Sequence, residues 1–223
     1  MATTIVHLLR HGEVHNPEGV LYGRRDGFHL STRGQAMAER VAKVLGDRDV
    51  VHLRASPLER AQETAAPLAQ LRELEIHPDP RIIESTNVFE GTSFAHPGRV
   101  LRNPAVWRHL WNPFRPSWGE PYKQVVARMM AAILDARAAA HGHEAVLVSH
   151  QLPIWMTRLS AEGRSVLHDP RRRECTLCSL TSLHFDDHGL THVTYSEPAG
   201  DLIPDADRSA PFSSGSNDSP DAP

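Results

Sequence analysis

The chain predicts a layered α/β domain built on a largely parallel central sheet. Short continuous apolar runs, "TIVHLL" at residues 4–9 and "AVLVSH" at residues 145–150, read as strands buried on both faces. Stretches with apolar residues at helical spacing stand between such runs, and strands that alternate with helices pair in parallel because each helix returns the chain to the same edge.

Taken in order, "TIVHLL" is the first strand. "STRGQAMAERVAKVLGDR" follows, with Met37, Val41, Val44 and Leu45 on one helical face and Glu39, Arg40 and Lys43 on the other. "DVVHL" reads as a second strand. In "SPLERAQETA", Ser56, Pro57 and Glu59 match an N-cap, a first-turn proline and a capping-box glutamate, so a helix is expected from Ser56, limited or kinked at Pro67. "EPYKQVVARMMAAILDARAAA" restores helical period through Val125, Met129, Ile133 and Ala136, and "AVLVSH" supplies another buried strand. "CTLCSLTSLHF" and "LTHVTYS" alternate in the strand manner, and Asp186 to Gly189 between them suggests a hairpin or a short return connection.

Two segments fall outside this pattern. Residues 92–121 are rich in proline, arginine and aromatics, holding Trp107, Trp111 and Trp118, and read as an insertion in a single domain spanning 1–198. As a satellite core they would pack arginine stems on rings; as a lid they would line a ligand pocket. Residues 199–223 carry five aspartates and one arginine among few apolar groups, and are expected to be a disordered acidic tail.

Composition narrows the function. The formal net charge is −3, and with −4 in the tail the rest carries +1, which argues against a nucleic-acid footprint but leaves room for a small anion held by placed arginines. "DPRRRE", residues 169–174, reads as a solvated basic loop, or else as an attractor for an acidic partner or an anionic tail of substrate. No apolar run approaches the roughly 18 to 20 residues of a membrane span, and the first residues lack a signal-peptide pattern, so a cytoplasmic protein without a membrane partner is expected. Cys175 and Cys178 lie three apart in a strand-like segment, where their side chains would point to opposite faces; buried thiols are expected rather than a disulfide or zinc site. His7, His11 and His15 are four apart, but the first two lie across a strand end, so helical ligand spacing does not apply and no metal is expected.

Ligands of parallel sheets gather outside the carboxyl ends of the strands. Three such ends carry Arg10 with His11, Arg60 in the first turn of the following helix, and Ser149 with His150. Two arginines, two histidines and a helix start form a plausible chemistry for one ligand, a phosphate.

"LLRHGEVHN", "SPLERAQETA", "RIIESTNVFEG" and "VSHQLPIW", in this order, resemble the histidine phosphatase superfamily, phosphoglycerate mutase-like branch 1, from about Thr4 to Tyr195. The resemblance implies a three-layer α/β/α sandwich and a cofactor-free covalent mechanism. His11 would become phosphorylated, Arg10, Arg60 and His150 would bind the phosphoryl group, and Glu84 would serve as general acid and then base. Asn16, standing one residue earlier than the family's asparagine, would donate to the phosphate. Asn87 and Phe89 replace the family's glycine and tryptophan, and Glu90 is a second carboxylate that could instead cap or pair locally. Gln151 replaces a glycine, and its amide could bind substrate or shape the loop. Three readings follow: a phosphatase acting on a small phosphorylated metabolite, a phosphoglycerate-type phosphomutase, and a non-catalytic phosphate-binding module. The full residue set disfavours the last, and "ESTNVFEG" in place of a mutase-like "ERHYG" favours the first. Oligomeric state is not indicated.

Overall fold

The computed structural model describes residues 2–92, 119–167 and 173–204. Strand β1 (Thr4–Arg10) sits between β4 (Glu144–Ser149), parallel to it, and β5 (Leu180–Asp186), antiparallel. With β2 (Val50–Ala55), β3 (His77–Pro78) and β6 (Gly189–Ser196) they form a sheet of order β3-β2-β4-β1-β5-β6, parallel through its first four strands. The antiparallel β5–β6 hairpin turns at Asp187 and His188, as the alternating runs predicted.

Strand alternation divides the core in two. Val6 and Leu8 of β1 and Ala145 and Leu147 of β4 face α3 (Tyr122–Ala139) and α4 (Gln151–Ala161), where Val125, Met129, Ile133 and Ile154 are buried. Leu9, Val146 and Val148 point the other way, into Met37, Val41 and Leu45 of α1 (Thr32–Gly46) and Ala61, Ala65 and Leu68 of α2 (Glu59–Arg72). Helices thus cover both faces of the sheet, a three-layer α/β/α arrangement.

Local details depart from the sequence-based expectations. Val44 lies off the buried face of α1 and is largely exposed. Helix α2 starts at Glu59, not Ser56, and continues past Pro67 to Arg72; Leu68, one residue beyond the proline, is buried in the core and helps hold the helix across the missing N–H. Cys175 and Cys178 precede β5 rather than lying in it, Cys178 in a left-handed conformation (φ 53°), and both are free and buried. Ala199 and Ile203 pack into the core around a 3-10 turn (Gly200–Leu202), so packed chain runs past the compositional boundary at 198. The tryptophan-rich part of the 92–121 insertion, most of "DPRRRE" and the tail beyond 204 lie outside the described residues. Among the described residues, no helix is long and apolar enough to cross a membrane.

Candidate active site

The adjacent parallel strands β2, β4 and β1 all end at one edge of the sheet, and the turn after each carries polar groups. The N–H of His11 donates to the Ser149 carbonyl at 3.1 Å, stapling the end of β1 to that of β4. Beyond His11 the chain meets the start of α1 closely: a Cβ on Gly12 would stand 2.7 Å from the Gly34 carbonyl oxygen, and one on Gly34 would stand 2.1 Å from that of Glu13. Two glycines are therefore needed at this crossing. Glu13, buried, accepts from Ser31 Oγ at 2.6 Å and from Arg33 at 2.9 and 2.5 Å, securing the turn to the helix cap. From the other side, Thr64 Oγ1 accepts from the Gly12 N–H at 3.0 Å and donates to the Arg60 carbonyl at 2.6 Å, tying α2 to the same turn.

These supports leave His11 and His150 buried with ring centroids 5.1 Å apart. His11 Nδ1 lies 2.8 Å from the Gly12 carbonyl. A carbonyl only accepts, so Nδ1 carries the hydrogen of the neutral ring and Nε2 keeps its lone pair. Burial, then the charges of Arg60 and Arg10, hold the His11 pKa well below the ordinary 6.5, outweighing the carbonyl bond. His150 is lowered in the same way, by burial and then by Arg60 and His11. Its Nε2 meets Ser56 Oγ at 2.8 Å, whereas Nδ1 is buried without a protein partner among the described residues.

Arg10 and Arg60 are buried, and among the described residues neither has a carboxylate at ion-pair distance. One nitrogen of each is committed to backbone: Arg10 Nη1 donates to the Cys175 carbonyl and Arg60 Nη2 to the Gly23 carbonyl, both at 2.6 Å. Arg10 Nε and Arg60 Nε and Nη1 remain buried donors without a partner among the described residues. Arg60 also stacks over the Tyr22 ring, 4.7 Å from its centroid. Buried cations and donors require compensation, and the N-terminus of α4, opening directly after His150, adds a partial positive charge at the same edge. The arrangement suits a dianionic tetrahedral group.

Glu84 is half-buried in the field of Arg60 and Arg10; burial raises its pKa, against the Ser85 N–H and those two arginines together with Arg173. Its Oε1 accepts from that N–H at 2.8 Å. Glu90 instead accepts from the Asn87 N–H at 3.1 Å and packs over Gly23, a local capping role. Asn16 is buried, and its amide spans Val20, donating to the carbonyl at 2.9 Å and accepting from the N–H at 3.1 Å. Gln151 opens α4, half-buried. Ser149 Oγ donates to the Ile82 carbonyl at 2.7 Å, bracing the segment that leads to Glu84.

Four contributors had no place in the sequence-based site. Tyr22 comes from the long loop after β1, where no pattern marks it. Ser56 imitates an N-cap in sequence, yet its hydroxyl supports His150 instead. Thr64 lies inside "SPLERAQETA" as the turn-to-helix tie. Arg173, from the basic "DPRRRE" run, is half-buried within the electrostatic reach of Tyr122 and Glu84, and Cys175, two residues further on, is the residue whose carbonyl anchors Arg10.

A family model described as the histidine phosphatase superfamily, branch 1, matches residues 6–198. The chain belongs to that superfamily. A Mycobacterium tuberculosis (strain ATCC 25618 / H37Rv) relative, "Uncharacterized protein Rv0525", is 55% identical over 196 residues, covering 88% of this chain and 97% of its own. An Enterobacter sp. (strain 638) relative, "Probable phosphoglycerate mutase GpmB", is 28% identical over 88% of this chain and 93% of its own. The solved structure of mycobacterial glucosyl-3-phosphoglycerate phosphatase Rv2419c shares the fold at a TM-score of 0.69 and 24% identity, with 87% of this chain and 98% of that one covered. The names of such relatives and structural neighbours include both phosphatase and mutase, and the chain shares their fold.

Proposed function

We propose that the protein is a phosphatase hydrolysing a phosphate monoester of a small metabolite through a phosphohistidine on His11. The observation that carries this reading is the pair of buried guanidinium groups, Arg10 and Arg60, without carboxylate partners among the described residues and flanking a neutral imidazole whose Nε2 lone pair is free. A phosphoryl group offers the charge and acceptor oxygens that these donors need.

In the first step His11 Nε2 attacks phosphorus, the N–P bond forms and the P–O ester bond breaks. The leaving alkoxide takes a proton from the Glu84 carboxyl group, whose raised pKa keeps it protonated beyond the ordinary carboxylate range. Water then attacks the phosphohistidine and gives a proton to the Glu84 carboxylate; the N–P bond breaks, inorganic phosphate leaves, and His11 returns to the neutral ring. Arg10, Arg60 and the Nδ1 side of His150 would spread the charge on the equatorial oxygens, with Asn16 and Gln151 as further substrate contacts.

His11→Ala should fold normally and lose turnover by at least about a thousandfold. Comparable hydrolysis by the pure variant would remove His11 as nucleophile. Incubation with 3-phosphoglycerate and a trace of the bisphosphate separates the two enzymatic readings: phosphate release marks a phosphatase, and 2-phosphoglycerate marks the phosphomutase to which the 28% identical relative's name points.

A further inference from the structure

Glu84 reaches the site from an irregular segment, so something outside a helix or strand must set the position of its carboxyl group. Two arginines hold the backbone there. Arg24 Nε donates to the Glu84 carbonyl at 2.5 Å, and Arg128 Nη1 donates to the carbonyls of Ile83 and Arg81, both at 2.6 Å. One carboxylate aligns both guanidinium groups: Glu120 Oε2 accepts from Arg24 Nη2 at 3.1 Å and from Arg128 Nη2 at 3.0 Å, while Oε1 accepts from Arg128 Nε at 2.8 Å. Glu120 is only 14% exposed, which limits solvent screening of both pairs. Its own place is fixed by backbone, since Gly119 bridges Asn87 in antiparallel fashion and a Cβ on Gly119 would stand 2.4 Å from the Thr86 carbonyl oxygen.

The clamp also touches the phosphate side. Arg24 follows Gly23, whose carbonyl accepts from Arg60. A single run of residues 23–24 therefore connects the buried cation of the cradle to the backbone of the acid.

We propose that Glu120, acting through Arg24 and Arg128, is a positioning residue that sets the height of the Glu84 carboxyl group over His11. This rests on the assignment of Glu84 as general acid. A misplaced acid hinders departure of a basic alkoxide far more than departure of nitrophenolate, which needs little protonation. A merely structural loss would lower both alike.

The test measures kcat/KM, which reports phosphohistidine formation, for β-glycerol phosphate and p-nitrophenyl phosphate in the full chain. Glu84→Gln is measured first: about a hundredfold loss confined to the alkyl ester supports the acid assignment, and equal losses remove it together with the clamp that depends on it. Given a selective Glu84→Gln, Glu120→Gln should lower the alkyl ester about tenfold and the nitrophenyl ester less than about threefold, with no further loss when added to Glu84→Gln. Equal losses on both esters, no loss, or full additivity in the double variant overturn the role of Glu120. If Glu120→Gln does not fold, Arg24→Ala, at a partly exposed position, is read by the same criteria.

Discussion

At the residue scale the surroundings of the candidate site push two ordinary pKa values in opposite directions. His11 is lowered by burial, then by Arg60 and Arg10, so it stays neutral as pH falls below 6.5 and protonates only well below that value. Glu84 is raised by burial, so its acidic form survives above 4.5 and is lost as pH rises through the raised value. For an alkyl ester, kcat/KM should therefore fall on the acid side with His11 protonation and on the alkaline side with Glu84 ionisation. Glu84→Gln should abolish the alkaline limb and leave the acid limb in place; an alkaline limb that persists in the variant belongs to another group. Arg10, His11, Arg60 and His150 were legible in sequence because the fold class puts strand ends at one edge, whereas Glu84, on an irregular segment, was named only through the family resemblance. Ser56 and Tyr22 were not legible, since their partners are 94 and 38 residues away in the chain (His150 and Arg60) and no spacing rule links them. The Glu120 carboxylate bonds Arg24 and Arg128, and those arginines hold backbone carbonyls, which carry no side-chain signature at all.

At the scale of elements, the turn after β1 is held between the starts of α1 and α2, one by close backbone contact and one by a hydroxyl. Gly34→Ala would drive a methyl group into the Glu13 carbonyl, 2.1 Å from the added carbon. Separation of α1 from the turn should cost about 1–3 kcal/mol. The melting temperature should drop, and turnover should drop with it, because the same turn holds His11 Nδ1 on Gly12; a variant that melts like the parent would show that the crossing yields freely. Strands β1, β2, β4, β5 and β6, α1, α3 and the hairpin were readable because burial leaves continuous apolar runs or a period of 2 or 3.6 in the sequence, whereas the exposed two-residue β3 leaves neither. The start of α2 was not readable, because "SPLE" satisfies the capping pattern while the Ser56 hydroxyl is drawn to His150, and the cap position falls to Leu58, which has no side-chain cap bond. The cysteine pair was misplaced for a related reason: "CTLCS" alternates like the strand it precedes, and only the left-handed turn at Cys178 separates them.

At the scale of the whole molecule, the sheet is anchored at the end opposite the site by a polar network spanning three strands. Buried His7 of β1 meets Ser182 of β5 at 2.7 Å and Glu144 of β4 at 2.9 Å, and Arg48, from the α1–β2 connection, forks onto Glu144 at 2.6 and 2.8 Å. Burial alone would raise the Glu144 pKa, but the bonds from His7 and Arg48 outweigh it and lower it from 4.5 to about 2. On the far strand pair, Asp79 is likewise opposed by burial yet lowered from 3.8 to about 2, by Arg81 and Arg54. A carboxylate whose folded pKa is depressed binds fewer protons folded than unfolded, so its stabilisation is complete above the unfolded value and disappears as pH falls toward the folded one. Between about pH 4.5 and 2 the protein should lose stability steeply. Glu144→Gln replaces the charged acceptor with a neutral amide, so it should cost about 1.5–3 kcal/mol at pH 7 and flatten the decline, the variant and parent curves converging near pH 2. Thermal melts at pH 7, 4 and 2.5 decide the matter: parallel curves would mean that Glu144 is not a source of the acid sensitivity, whereas convergence would locate part of it at the end of the sheet away from His11.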